Sequence, residues 1–341
     1  MNIHGGSDAG PTPAHDFSSN ASPLGPPPAL LRAVLAADRR RYPDPAYTDL
    51  REHLGADLGV AADRVLPCSG GAEAIRRLSL AAFLSGIREV WVPQPGFGDY
   101  AAAAQALGLE TRRYRSVAEL CSGLRQARSL VWVCEPCNPS GSSLTAAEWQ
   151  DLTLAIERSS SALVVDLAYE SLRLEGQSHL PAHLQDQAWR LHCPNKVLGL
   201  TGVRAACLLA PSRSDALYLH AQAVAPSWVL SSEGCELLRA WRSPESADYL
   251  RQVQTTLRGW RDTQRQLLAE LGWQQTSSCS NFWLARPPVG VQTSELLPAL
   301  RQRGIKLRDA SSFGLAGWVR LSTQNTESQA ALKRALEELQ A

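Results

Sequence analysis

The chain has 341 residues, 44% hydrophobic and 20% charged, with 34 Lys and Arg against 33 Asp and Glu for a formal net charge of +1. That size suits a large core with a smaller companion domain, and the near-neutral balance gives no electrostatic basis for binding nucleic acid or an acidic membrane. No apolar run approaches the roughly 18 residues that span a bilayer, and the opening MNIHGGSDAGPTPAHDFSSN has no basic segment followed by an apolar one, so no signal peptide is visible and a cytoplasmic location is expected.

The first 28 residues are rich in Gly, Pro, Ser and Asp and read as an ordered arm or loop; PALLRAVLAADRR (28–40) follows as a short amphipathic helix with Pro28 near its start. From residue 65, short apolar runs alternate with helical patterns. The runs are EVWVP (89–93), SLVWVCEP (129–136), SALVVDLAY (161–169), WRLHC (189–193) and AACLLAP (205–211), with helical stretches such as 71–84, 98–107, 116–127 and 145–158 between them. Near-continuous apolar strands separated by helices predict a mostly parallel sheet covered on both faces. After about residue 212 the pattern changes to helices near 231–241 and 245–271, SNFWLAR (280–286), a helix near 293–303, WVRLST (318–323) and a closing helix 327–340. The expectation is an α/β fold in three parts: an N-terminal arm and first helix (1–40), a large α/β domain (41–230) and a small α+β domain (231–341).

Ligands of such sheets bind beyond the carboxyl ends of the strands, so the residues just after each run matter most. They are CSGGAEAI (68–75), a small-residue turn opening a helix; PQPGFGDY (93–100), with Phe97 and Tyr100; EPCNPSG (135–141), a tight turn holding Asn138; Asp166 and Tyr169 in VVDLAY; and Lys196 in CPNKVLGLTGVR. Each has an ordinary structural reading alone: a packed Gly pair, a turn cap, a carboxylate pairing with any arginine, a solvated lysine. Only Lys196 and Lys306 precede Lys333, however, so Lys196 is not one of many surface lysines. A lysine able to condense with an aldehyde, a carboxylate to face a pyridinium nitrogen, a ring to stack and a Gly turn for a phosphate together describe a pyridoxal 5′-phosphate (PLP) site. Metal chemistry is not expected. Cys134 and Cys137 form a single C-x-x-C with no second pair, and Pro181 interrupts the His179/His183 spacing.

The order of these pieces resembles the fold-type I PLP enzymes of the class I/II aminotransferase superfamily, in particular the histidinol-phosphate aminotransferase branch. HGG (4–6), DFSSNASPLGPP (16–27), RYPDP (41–45) and LRDASSFGLAGWVRL (307–321) further resemble the threonine-phosphate decarboxylase-like proteins of cobalamin biosynthesis. The resemblance spans essentially the whole chain. It implies that Lys196 binds the cofactor aldehyde and shuttles protons, Asp166 pairs with the pyridine nitrogen, Asn138 and Tyr169 donate to its O3′ oxygen, and Phe97 stacks on its face. It implies Gly71, Ala72, Arg204 and Asn195 at the cofactor phosphate, with Tyr42 reaching that phosphate from a neighbouring subunit of a homodimer. On the substrate side it implies Arg320 for the α-carboxylate and Asn20 in the pocket lining; Arg308 and His4 are candidates for a substrate phosphate. The chain departs from the family pattern in carrying Asn195 where Ser or Thr is usual before the lysine, Cys68 and Ser69 where Asn and Gly are usual, and Leu167 in place of an acid. Decarboxylation of threonine O-3-phosphate to 1-aminopropan-2-ol O-2-phosphate is the activity expected, transamination of a phosphorylated or other amino acid with 2-oxoglutarate the alternative, and a non-catalytic regulator the third possibility.

Overall fold

The computed structural model describes residues 4–124, 127–212 and 215–340. In chain order the strands are β1 (His15–Asp16), β2 (Val65–Cys68), β3 (Glu89–Pro93), β4 (Glu110–Tyr114), β5 (Leu130–Cys134), β6 (Ala162–Asp166), β7 (Trp189–His192), β8 (Ala206–Leu209), β9 (Gln274–Gln275), β10 (Phe282–Arg286), β11 (Ile305–Lys306), β12 (Arg308–Asp309) and β13 (Val319–Ser322). The helices are α1 (Pro28–Ala36), α2 (Thr48–Leu58), α3 (Gly71–Leu84), α4 (Gly98–Gln105), α5 (Val117–Gly123), α6 (Ala146–Ser159), α7 (Ala182–Gln187), α8 (Ala216–Ala223), α9 (Ser232–Trp241), α10 (Pro244–Glu270), α11 (Thr293–Gln302) and α12 (Thr326–Gln340).

The central sheet has seven strands in the order β2-β8-β7-β6-β5-β3-β4. β7, β6, β5, β3 and β4 pair in parallel, while β8 runs against both of its neighbours. β5, β6 and β8 are buried at every position, which is why they read as unbroken apolar runs. β4 is different: ETRRY is an edge strand with one buried residue, Tyr114, and its charged face hides it from an apolar scan. Helices cover both faces. On one, α3, α4 and α8 pack over Trp132, Trp189 and Leu208; on the other, α5 and α6 pack Leu120 and Trp149 against Val131 and Val165. Burying one such large side chain contributes about 1.5–3 kcal/mol. Side-chain caps mark the starts of α5, α6, α8, α9 and α10, most fully at α6, where Thr145 and Glu148 form a reciprocal capping box.

A second sheet, antiparallel in the order β12-β13-β10-β9, packs with α10, α11 and α12 around Trp283, Leu300 and Leu332. The arm joins it: β1 pairs in parallel with β11, and Phe17 is fully buried in this core. Apolar contacts do not change hands at residue 230. Leu237 and Leu238 of α9 and Val253 and Leu257 of α10 share the core of the central sheet, and the second core takes over at Leu268. Among the described residues, no helix is long and apolar enough to cross a membrane and no group of His, Cys, Asp and Glu is arranged to hold a metal ion.

One half-buried histidine makes stability depend on pH. His192, at the end of β7, lies 5.7 Å from the Trp241 ring, and its Nε2 has no hydrogen-bond partner. Burial, reinforced by Arg190 and Arg242, pushes its pKa down to about 3. The unfolded chain therefore takes up this proton first as pH falls from the ordinary 6.5, and stability drops through that window. The slope is up to about 1.4 kcal/mol for each pH unit. Melting curves between pH 7 and pH 4 should fall less steeply for His192→Phe than for the natural chain.

Candidate active site

Because β7, β6, β5 and β3 run in parallel, their carboxyl ends share one edge of the sheet, and the segments leaving them converge there. Two adjoining cavities open at this edge, with His4, Gly5, Phe97, Asn138, Tyr169 and Lys196 common to both. The inner one, about 350 Å³, is also lined by Gly71, Ala72, Tyr100, Asp166 and Arg204. The outer one, about 180 Å³, is also lined by Asn20, Thr201, Arg308, Ser312, Phe313 and Arg320.

The inner cavity is built for an anion at one end and a cation at the other. α3 starts at Gly71 with no side-chain cap, so its first N–H groups point out unsatisfied by a cap and the helix dipole favours negative charge there. Gly70 has φ +85°, and the Arg204 guanidinium lies so close that a Cβ at Gly70 would displace it. Glycine is thus required both for the turn and for the arginine's approach. At the other end Asp166 finishes β6, buried, with Oδ2 accepting from the Tyr100 hydroxyl at 2.6 Å and Oδ1 from the Ala168 N–H at 2.9 Å. Burial raises the Asp166 pKa, opposed by the Tyr100 hydrogen bond and by Lys196. Tyr100 is itself fixed, fully buried and stacked on Trp132 at 4.7 Å.

Lys196 follows β7 on a short turn, with its Nζ 5.4 Å from the centre of the Tyr169 ring. Burial pulls its pKa down, but Cys193, Tyr169 and Asp166 together outweigh that and the net shift is upward. Asn138 is buried, and its Oδ1 accepts from Arg320 Nη1 at 2.6 Å. Arg320, on β13 of the second sheet, also donates from Nη2 to the Ser18 carbonyl at 2.5 Å. Burial brings its pKa down to about 10. Gly5 crosses directly over this contact, where a side chain would strike the Ser18 carbonyl. Asn20 lies 4% exposed against the outer cavity, neither of its amide atoms in hydrogen-bonding geometry with a partner. A buried polar group in that condition is costly unless a ligand completes it.

The other residues singled out in the sequence fall as follows. Phe97 lines both cavities and meets Tyr100 edge-on at 5.6 Å. Arg308 donates to Ser312 Oγ at 2.6 Å with its guanidinium over Phe313, at the wall of the outer cavity. His4 sits at the mouth, 5.7 Å from Phe97 and 3.6 Å from an Asp99 oxygen. Two do not line these cavities. Asn195 is buried with its amide donating to the Val203 carbonyl at 3.4 Å, and it lines neither cavity. Tyr42 is 76% exposed and stacks on Trp228 at 4.4 Å. The Tyr100–Asp166 bond is a feature the sequence did not reveal; its only trace is a tyrosine three residues after Phe97, within α4.

The family model described as aminotransferase class I and II matches residues 13–339. The chain belongs to this family. Class I and II aminotransferases are PLP-dependent enzymes, and the donors of the inner cavity fit that cofactor: an uncapped helix start and an arginine for its phosphate, a buried carboxylate for its ring nitrogen, and a lysine between them. A "Histidinol-phosphate aminotransferase 2" of Caulobacter vibrioides is 29% identical over 330 residues, covering 94% of this chain and 85% of the relative. A histidinol-phosphate aminotransferase of Halorubrum lacusprofundi is 30% identical over 322 residues, covering 91% and 85%. Among solved structures, the histidinol-phosphate aminotransferase of Clostridium acetobutylicum superposes with a TM-score of 0.82 at 19% identity, covering 95% of this chain and 98% of that one. The L-threonine-O-3-phosphate decarboxylase of Porphyromonas gingivalis does so at 0.79 and 21%, with the same coverage. At those identities the superpositions establish the aminotransferase fold. Both of these sequence relatives are histidinol-phosphate aminotransferases.

Proposed function

We propose that this chain is a PLP-dependent aminotransferase that moves an amino group between a phosphorylated amino compound and an oxo acid such as 2-oxoglutarate. The observation that carries the reading is the pair of joined cavities: Lys196 lies between an inner anion cradle and an outer wall bearing two arginines, Arg320 and Arg308. When bound in the inner cavity, PLP supplies an electron sink that labilises whichever bond at the substrate Cα stands perpendicular to its ring. Arg320 binds the carboxylate of the oxo acid or amino acid, its direction fixed by Asn138 and the Ser18 carbonyl. Lys196, its amine beside the Tyr169 ring, would take the proton from the substrate Cα and deliver it to the carbon that carried the cofactor aldehyde. Asp166 holds a proton at the pyridine nitrogen; Asn138 and Tyr169 serve the O3′ oxygen; Phe97 packs on the ring. Gly71, Ala72 and Arg204 hold the cofactor phosphate. Arg308 and His4, with Asn20, serve the second anionic group of the substrate. Tyr42, exposed in its own protomer, completes the phosphate site of a second copy, so the working unit is a homodimer.

Decarboxylation of threonine O-3-phosphate is the second reading, supported by the His4–Gly5 segment at the cavity, which belongs to the HGG motif shared with such decarboxylases. It uses the same residues with the carboxylate turned to a different angle. One assay separates the two. The PLP-loaded protein is given histidinol phosphate, or threonine O-3-phosphate labelled in its carboxyl carbon, with and without 2-oxoglutarate. Glutamate formed only when the oxo acid is present, with label retained, is the expected result; labelled CO2 released without any oxo acid would overturn the transamination reading.

A further inference from the structure

Behind the turn that carries Asn138 lies a buried charge cluster that lines neither cavity. Glu135 follows β5 and is fully buried. Its Oε1 accepts from Arg173 Nη2 at 2.6 Å and from the Ser143 hydroxyl, and its Oε2 accepts from the Leu144 N–H at 3.0 Å. Arg173, 6% exposed, spends its remaining donors on Glu170 at 2.9–3.1 Å, Ser143 Oγ at 3.1 Å and Cys279 Sγ at 3.3 Å. Backbone bonds close the same cluster: Glu135 N–H to the Asp166 carbonyl at 2.9 Å, Leu174 N–H to the Cys279 carbonyl at 2.7 Å, and Cys279 N–H to the Gly141 carbonyl at 2.9 Å.

Three chain segments meet here, and each carries a group of the site. The turn 135–144 carries Asn138; residues 170–174 continue directly from Tyr169; residues 279–281 lead into β10, which pairs with Arg320 of β13 through Leu284. A buried ion pair is a poor source of stability, since apolar replacements are often as stable, yet its bonds are directional and leave little freedom to the segments they join. Stability alone therefore does not account for a fully buried glutamate at this point. The sequence pattern gave no sign of it, because Glu135 and Arg173 are 38 residues apart.

We propose that Glu135 and Arg173 are positioning residues that set the Asn138 amide and the Tyr169 hydroxyl against each other across the inner cavity; the inference rests on the cofactor reading of that cavity. Both groups serve the O3′ oxygen, and donors to an oxyanion favour its ionised form. Loosening them raises the pH at which the bound cofactor changes its absorption spectrum. A misplacement of about 1 Å also costs on the order of 10²-fold in turnover.

The test uses the PLP-loaded full chain and Glu135→Gln, which keeps the shape and loses the charge. Its spectral midpoint is expected to rise by about half a pH unit or more, with kcat/KM down on the order of 10²-fold. A lower melting temperature with an unchanged midpoint and unchanged kcat/KM would mean the cluster is structural only, and would overturn the proposal. Should Glu135→Gln fail to fold, Ser143→Ala, which removes one bond to the same carboxylate, is read in the same way: a smaller upward shift supports the proposal and no shift overturns it. If the unsubstituted protein takes up no PLP, the cofactor reading itself falls, an outcome distinct from an unchanged midpoint in a loaded variant.

Discussion

Lys196→Ala is expected to fold as the natural chain does and to lose turnover by about 10²–10⁴-fold or more, the range associated with a positioned acid–base group. The side chain ends in a cavity, not in a packed core, so its removal leaves no apolar void. PLP should still bind, because Gly71, Ala72, Arg204 and Asp166 are untouched. Three readouts check this: a melting temperature close to that of the natural protein, retained cofactor after gel filtration, and collapse of turnover. Turnover within tenfold of the natural protein would remove Lys196 from its proposed role.

The second large effect is expected at Asp166. Asn in its place keeps an acceptor for the Tyr100 hydroxyl but loses the charge facing the inner cavity. Stripping one partner from a buried charge pair costs about 3–5 kcal/mol, which corresponds to roughly 10²–10⁴-fold in rate if the loss is felt in the transition state. Tyr100→Phe provides the graded control. It removes a hydrogen bond to a charged group, worth about 1.5–3 kcal/mol, and leaves the charge in place. The pH dependence gives the sign. Burial already raises the Asp166 pKa, and the Tyr100 bond holds it back. Activity requires the carboxylate, so it is lost on acidification through that pKa, and Tyr100→Phe moves this acid limb to higher pH. Rate profiles of the two variants check the order: Asp166→Asn slower at every pH, Tyr100→Phe slower mainly at the acid side.

What the sequence disclosed depended on how locally each feature is encoded. Strands buried on both faces announce themselves as apolar runs, as with LVWVC and ALVVD, and the residues that end them mark the ligand edge. The reversed direction of β8 is not encoded in its own four residues; it follows from the tight path between Lys196 and Arg204, which returns the chain beside β7 and sets Arg204 against Gly70. β4 escaped notice because an edge strand needs only one apolar contact. Asn195, beside Lys196, donates its amide to the Val203 carbonyl, a contact across the turn that its place in the sequence does not announce. Pairings across long sequence separations, such as Tyr100 with Asp166 and Glu135 with Arg173, leave no periodic signal at all. These bonds hold the named residues in place.

The most direct test of the account is to locate the cofactor. The protein is incubated with PLP, reduced with borohydride, digested, and its peptides weighed. With lysine present only at 196, 306 and 333, the assignment is unambiguous. A pyridoxyl group is expected on the peptide carrying Lys196 and on no other. Label on Lys306 or Lys333, or none on any lysine, would contradict it.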